Sequence, residues 1–414
     1  MRDQNQPAAA TCEQVNKHEN LQNRVPIHEL NFSTHMRSTL RALSISAIGL
    51  LAFSASAQPV STTNTRTIAF RRAAMLTRGI NASGWFGGWG DYKPERTSTW
   101  ITSDDLKLMR SLGLTYVRIG VDPVYFGYGR PDAPGKEALW KRLDDAVDLA
   151  FSNGLIVDLC VFPRDDYKQQ LANDHGVTQF VFLWEALAKH FANRDPDRLL
   201  FELMNESEVQ DPYRWIGIES SVVTAIRHID TTHTILASGA HYDSLDDLLV
   251  TQPLADENVI YTFHFYEPYQ FTHQGATWGS PEWLYYKNIP FPATVNQLES
   301  TLTSIPNDIA RYQLYLYAAG GWSAEAVRQR ITFAALWGRE HNVPVLCNEF
   351  GAYRDTAPPD SRARYIEAVR SALEANHIGW AMWDWSGNFG LVHRTDGHPT
   401  SDPAITKALG LSVN

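Results

Sequence analysis

From Thr77 onward the chain alternates short apolar runs with longer stretches whose apolar positions recur at helical spacing. The runs Thr77–Ile80, Thr115–Ile119, Leu155–Val161, Leu199–Leu203, Thr234–Ala237, Val259–Phe263, Val343–Cys347 and Ile378–Met382 read as eight strands. Ser103–Leu112, Lys136–Asn153, Gln179–Phe191, Arg214–His228, Trp322–His341 and Ser361–Asn376 read as helices between them. Gly113, Asn153-Gly154 and Asn376 stop a helix directly before the next strand. Repeated strand–helix units of this kind build a parallel sheet, and eight of them predict an α/β fold of the (β/α)8 barrel type. No change in composition marks a second domain, so one barrel is expected over residues 68–414. The stretch from Tyr266 to Pro306, after the sixth strand, is a long insert rich in Trp, Tyr and Pro. In parallel barrels the loops after strands build the active face, which predicts a cleft wall here.

The start of the chain has a different character. Residues 1–35 are polar and unpatterned. From Met36 the chain reads MRSTLRALSISAIGLLAFSASAQPV: two arginines, an apolar stretch from Ala42 to Phe53, and small residues at Ala55-Ser56-Ala57. That order predicts a cleaved secretory signal over 36–57, a true start at Met36 with 1–35 as an upstream extension, and a Ser/Thr-rich linker over 58–67. The mature protein is then expected outside the cytoplasm, secreted or periplasmic. Cleavage removes Cys12 and leaves Cys160 and Cys347, both within strand-like runs, which read as buried thiols.

Composition narrows the partners. A formal net charge of −10 argues against nucleic acid, whose phosphates need clustered Lys and Arg. With 13 Trp, 17 Tyr and 18 Phe, many beside Gly, Pro and Asn, the chain has rings to spare for the flat C–H faces of sugars.

Polar residues at the C-terminal ends of barrel strands converge on one pocket. Here they are Arg118, Asn205, Glu206, His264, Tyr266, Glu349 and Trp383, with two carboxylates after the fourth and seventh strands. Cleaving an acetal at neutral pH needs one group to protonate the leaving oxygen and another to attack or stabilise the cationic carbon, and a pair of carboxyls fills both roles.

The segments RGIN (Arg78 to Asn81), YVRI (Tyr116 to Ile119), LLFELMNE (Leu199 to Glu206), YTFHFYEP (Tyr261 to Pro268), VPVLCNEFG (Val343 to Gly351) and GWAMWDWS (Gly379 to Ser386) together resemble glycoside hydrolase family 5, in the order that family shows them. The resemblance implies a retaining endo-β-glycanase acting by double displacement, with β-1,4-glucan favoured and mannan or β-1,3-glucan as alternatives. Glu206 then corresponds to the acid/base and Glu349 to the nucleophile. Arg118 is expected to bond Glu349 and keep it ionised, and the neighbouring negative charge to raise Glu206 so that it carries a proton. Asn205 is implied to hold the sugar 2-hydroxyl, His264 and Tyr266 to position the carboxylates, and Trp383 to form the floor under the sugar, with Trp380 and Trp385 as rivals for that place. One departure stands out: after Asp158-Leu159 the family often has His where this chain has Cys160.

Trp85 and Trp89 after the first strand, His241 and Tyr242 after the fifth, and Trp278 in the insert are candidate sugar contacts, as are Trp283, Tyr285, Tyr286, His273 and Gln274. A metal-dependent hydrolase lacks an HxH or HExxH pair to support it, so no metal and no cofactor is expected. A catalytically silent carbohydrate-binding protein would have no need of both carboxylates. The expected partner is a β-linked polysaccharide or oligosaccharide, with no membrane partner after signal cleavage, and the protein is expected to be a monomer.

Overall fold

The computed structural model describes residues 68–87, 94–123 and 136–412. The upstream stretch 1–35, the signal at 36–57, the linker at 58–67 and Trp89 lie outside these residues. Eight parallel strands close into a barrel in sequence order: β1 (Arg78–Asn81), β2 (Tyr116–Val121), β3 (Ile156–Val161), β4 (Leu199–Glu202), β5 (Ile235–Ser238), β6 (Val259–Phe265), β7 (Val345–Phe350) and β8 (Gly379–Met382). β8 pairs with β1 through Gly79 and Ala381, which shuts the sheet.

Strands covered on both faces read as unbroken apolar runs, so the inward and outward positions separate only in three dimensions. Val117, Ile119, Val157, Leu159 and Phe201 face outward and join the large core beneath the helices. Tyr116, Leu200, Leu236, Ile260, Leu346 and Ala381 point inward and form a second, smaller core, plugged from below by Ala69 and Leu76. One inward step along each strand, the apolar plug gives way to Asn81, Arg118, Asp158 and Glu202, all buried. The barrel is therefore apolar at its N-terminal end and charged at its C-terminal end.

The outer helices include Ser103–Ser111, Lys136–Ser152, Asp174–Phe191, Pro212–Ile229, Ala324–His341 and Pro359–Ala375. Local signals set their ends: Thr102 and Asp105 form a reciprocal capping box, and Asn342 closes its helix in the left-handed conformation. Asp105 also accepts from the indole of buried Trp385 at 2.7 Å and from Arg394 at 2.8 Å, tying that helix to the segment after β8.

Several elements lay outside the expectation. The insert holds a helix at Val295–Ser304 and is followed by another at Asp308–Ala319, capped by the Asn307 side chain. After β8 comes a hairpin, β9 (Val392–Thr395) and β10 (His398–Ser401), turning on Asp396 and Gly397 at φ 51° and 83°. An Asp-Gly pair is a strong hairpin signal, because both turn residues must take positive φ. Among the described residues no helix is long and apolar enough to cross a membrane.

Candidate active site

β4 and β7 present the two carboxylates by different routes. Beyond β4 the pairing to its neighbours continues as far as Asn205, whose N–H donates to the Val161 carbonyl at 2.8 Å. Glu206 then turns into the left-handed region at φ 50°, which swings its side chain over the barrel mouth. On β7, Glu349 lies inside the strand, where sequence placed it beyond the strand's end. Cys347 packs outward, so simple alternation would send Glu349 outward as well. A bulge prevents this: Phe263 pairs with Cys347 but His264 pairs with Glu349, leaving Asn348 as the extra residue. Bulges re-aim side chains, and this one brings Glu349 into the mouth beside His264.

The result is one hydrogen-bonded cluster. His264 Nδ1 lies 3.0 Å from Glu206 Oε1 and 3.5 Å from Glu349 Oε2. Donor atoms of Glu206, His264 and Glu349 all lie within 4.8 Å of one another. Tyr266 donates its hydroxyl to Glu349 Oε2 at 2.9 Å, and Arg118 Nη1 donates to Oε1 at 2.5 Å. Arg118 also donates to Asn81 and Asn205 at 2.9 Å, to both oxygens of Glu202 at 2.6 Å, and to the Cys160 sulfur at 3.3 Å. Arg118, Asn205, His264, Tyr266, Glu206 and Glu349 thus meet as expected. Cys160 sits below them as a buried thiol that burial pushes well above its ordinary pKa.

Protonation departs from the expected pattern. Burial opposes charge on both carboxyls. For Glu206 the hydrogen bond and charge of His264 outweigh it, and the carboxyl lies below its ordinary value. For Glu349 burial prevails over His264 and Arg118, with Glu206 adding to it, and the carboxyl lies above its ordinary value. His264 itself rises to about 9, its burial overcome by Glu349, Glu206 and Asp243. At neutral pH this keeps His264 protonated. Two sets of ligating atoms, Glu206–His264–Glu349 and Glu202–Asp243–His264, are spaced closely enough to surround a cation.

Glu202, Asp158 and Asp243 join the cluster without being among the site residues expected from the sequence. Both Asp158 oxygens are buried with no hydrogen-bond partner among the described residues, and burial together with Glu202 lifts its carboxyl well above the ordinary range. Asp243 accepts the Glu206 N–H at 2.9 Å. An inward carboxylate within an apolar strand was the available signal for Asp158 and Glu202; Asp243 had none, because its loop conformation brings it in.

Among the tryptophans, Trp383 lines a small pocket with Asn81, Arg118 and Phe162 and lies nearly parallel to the Phe162 ring at 5.7 Å. Gly120 makes that possible, since any Cβ there would meet the Phe162 side chain at 2.8 Å. Trp380 and Trp385 are fully buried on the other side of the strand. Trp85 must be corrected: it is buried, donates its indole N–H to the Thr97 carbonyl at 2.8 Å, and packs as core. Tyr286 and Gln274 are likewise buried, Tyr286 donating to the Ala310 carbonyl of the helix after the insert and Gln274 bonded to backbone within the insert. His241 is half-buried and bonded to Asp247 at 3.0 Å, and Tyr242 is exposed with Lys168 5.9 Å from its ring.

Trp278 is exposed and stands edge-on to Tyr353 at 5.2 Å. Tyr353 touches Phe389 at 5.7 Å, and Phe389 touches Tyr266 at 5.9 Å. A line of ring contacts therefore runs from Tyr266 through the buried Phe389 and Tyr353 to exposed Trp278 in the insert.

The chain is similar to several known proteins. Endoglucanase 3 of Fibrobacter succinogenes is 28% identical over 344 residues, covering 77% of this chain and 50% of that protein, so the chain spans half its length. Endoglucanase C of Acetivibrio thermocellus is 27% identical over 334 residues, 79% of this chain and 96% of that protein. The solved structure of Thermotoga maritima Cel5A in complex with mannotriose shares the fold, with a TM-score of 0.67 and 23% identity over 82% of this chain and 99% of that one. The family model for cellulase, glycosyl hydrolase family 5, matches residues 71–389, and the chain belongs to that family.

Proposed function

We propose that the protein is a retaining endo-β-1,4-glucanase in which Glu349 is the nucleophile and Glu206 the acid/base. The observation that carries this reading is the separation of the two carboxylates, with one oxygen of each within 4.8 Å of the other. Retaining enzymes hold the pair roughly 5–5.5 Å apart, whereas inverting enzymes leave about 6.5–9.5 Å for a water between them. The names of the related endoglucanases support glucan as substrate. The mannotriose complex of the Thermotoga protein keeps β-mannan as the second reading.

In the first step Glu349 attacks the anomeric carbon while Glu206 gives its proton to the departing glycosidic oxygen. In the second, Glu206 takes a proton from water, whose oxygen attacks the same carbon and frees Glu349. Arg118 and Tyr266 donate to opposite oxygens of Glu349, which holds it as an anionic acceptor aimed at the sugar. Glu206 receives its proton across the 3.0 Å hydrogen bond from His264 as substrate displaces water from the mouth. Asn205, fixed through its carbonyl by Arg118, offers its amide edge to the sugar 2-hydroxyl, and Trp383 supplies an apolar face beneath the ring.

Export belongs to the same proposal, resting on the signal pattern at 36–57, as do monomeric action and a single catalytic domain over 68–414. The test is hydrolysis of soluble β-glucans and β-mannans, with product length followed over time and Glu349→Ala as control. Rapid shortening of a β-1,4-glucan that disappears in the variant supports the reading; release of only terminal sugars, or activity that survives the substitution, overturns it.

A further inference from the structure

The loop after β5 contains backbone outliers that the proposed mechanism does not use. His241, Tyr242 and Asp243 are consecutive residues at φ 47°, 62° and 54°. Left-handed residues normally occur singly, and a run of three persists only where its surroundings enforce it. Here the Tyr242 N–H donates to the Ser207 carbonyl at 2.9 Å, and Ser238 donates its hydroxyl to Asp243 Oδ1 at 2.6 Å. Asp243 Oδ2 accepts the Glu206 N–H at 2.9 Å, so one left-handed turn braces the other.

The same oxygen, Oδ2, lies 3.5 Å from His264 Nε2. That nitrogen is buried and makes no hydrogen bond among the described residues, so Asp243 faces it as an ion-pair partner. The opposite nitrogen, Nδ1, faces Glu206. The imidazole is thus held between two carboxylates, one on each nitrogen. Resting on the reading of Glu206 as the acid/base, we propose that Asp243 is a positioning residue that keeps a proton on His264 Nε2, so that Nδ1 is the nitrogen that loads Glu206.

The chemistry balances within the pair. With both ring nitrogens protonated, Nδ1 passes its proton to Glu206 Oε1, leaving a neutral imidazole whose remaining proton stays on Nε2 opposite Asp243. Glu206 then spends that proton on the leaving oxygen and regains one from water. Asp243 rises to about 6 because of burial, against the pull of His264 and Ser238, so it is ionised at neutral pH and above, where the pairing matters. The ring is also faced by Glu202 from β4 and Glu349 from β7, while Arg118 and Tyr266 meet the cluster by way of Glu349. None of these is altered by substitution at 243.

Asp243→Asn in the full chain removes the charge but keeps an oxygen for the Glu206 N–H, and Asn tolerates the left-handed turn. Ser238 can rotate to accept from the new amide. The alkaline limb of kcat/KM should move to lower pH by roughly one unit, the size of effect an adjacent opposite charge produces. His264, followed by NMR of histidine-labelled protein and assigned with His264→Gln, should titrate lower by a similar amount. Asp243→Ser, also neutral and at ease in the turn, should repeat both shifts and decides the matter if Asp243→Asn does not fold. A fall in kcat with an unmoved pH profile and an unmoved His264 titration would mean that Asp243 merely braces the loop, and would overturn the proposal. An inactive parent enzyme would instead overturn the catalytic reading, and the NMR titration would still test the link between Asp243 and His264.

Discussion

Arg118 grips Glu202 in a two-pronged pair, with Nε and Nη2 each 2.6 Å from a different carboxylate oxygen, and both side chains are buried. This leaves Nη1 free to reach upward to Glu349. The geometry makes Glu202 the anchor that aims the arginine. Glu202→Leu should leave a buried guanidinium short of its main partner and destabilise the fold by about 3–5 kcal/mol, measured by urea unfolding. A loss below 1 kcal/mol would mean that the pair carries little of the site's rigidity.

The two carboxyls proposed as catalytic should fail differently. Glu349→Gln should lower kcat on every substrate by roughly 10³-fold or more, because no covalent intermediate can form. Glu206→Gln should cost roughly 10²–10⁴-fold on polysaccharide but far less in the first step on aryl glycosides, whose leaving groups need no proton. Equal losses on both substrate types for Glu206→Gln would assign it another role.

Retention is directly observable. Proton NMR of the reducing end during early hydrolysis of a β-glucan should show the β-anomer first, with the α-anomer appearing only through mutarotation. An α-anomer formed first would require an inverting mechanism and a wider carboxylate spacing than the one described here.

His264 makes stability fall with rising pH. Its folded-state pKa is raised from 6.5 to about 9, so its contribution is complete below pH 6.5 and is lost as pH climbs through 9. Linkage puts the loss on the order of 3 kcal/mol across that window. Unfolding free energies of the parent should decline between these limits, and those of His264→Gln should show a flatter profile at lower absolute stability. A parent profile as flat as the variant's would refute the raised pKa.

The line of ring contacts predicts a length-dependent effect. Trp278→Ala should raise KM for long β-glucans several-fold, consistent with about 0.5–1.5 kcal/mol for one ring contact, while leaving short aryl glycosides nearly unaffected. Equal effects on both would place Trp278 beside the cleavage point instead.

Much of the barrel was legible along the chain because a strand buried on both faces must be apolar throughout, and because Gly and Asn mark the helix ends before several of the return strands. The hairpin at Val392–Ser401 was legible too, through Asp396-Gly397, but went unread. The helix at Asp308–Ala319 was harder, since its exposed tyrosines blur the boundary between apolar and polar faces.

The candidate reacting groups were legible in the sequence alone: Asn205-Glu206 and Asn348-Glu349 at the ends of two runs, with Arg118, His264, Tyr266 and Trp383 at others. Their working geometry was decided only by the tertiary structure. A bulge at Asn348 turns Glu349 inward, a left-handed residue turns Glu206 over the mouth, and Asp243 reaches His264 through a loop whose conformation leaves no periodic trace. Trp85 and Trp383 could not be sorted by residue type, because burial and not aromaticity separates a core ring from a sugar platform. The raised pKa of His264 likewise depends on charges from β7, from the end of β4 and from the loop after β5, whose balance exists only once the barrel has closed around them.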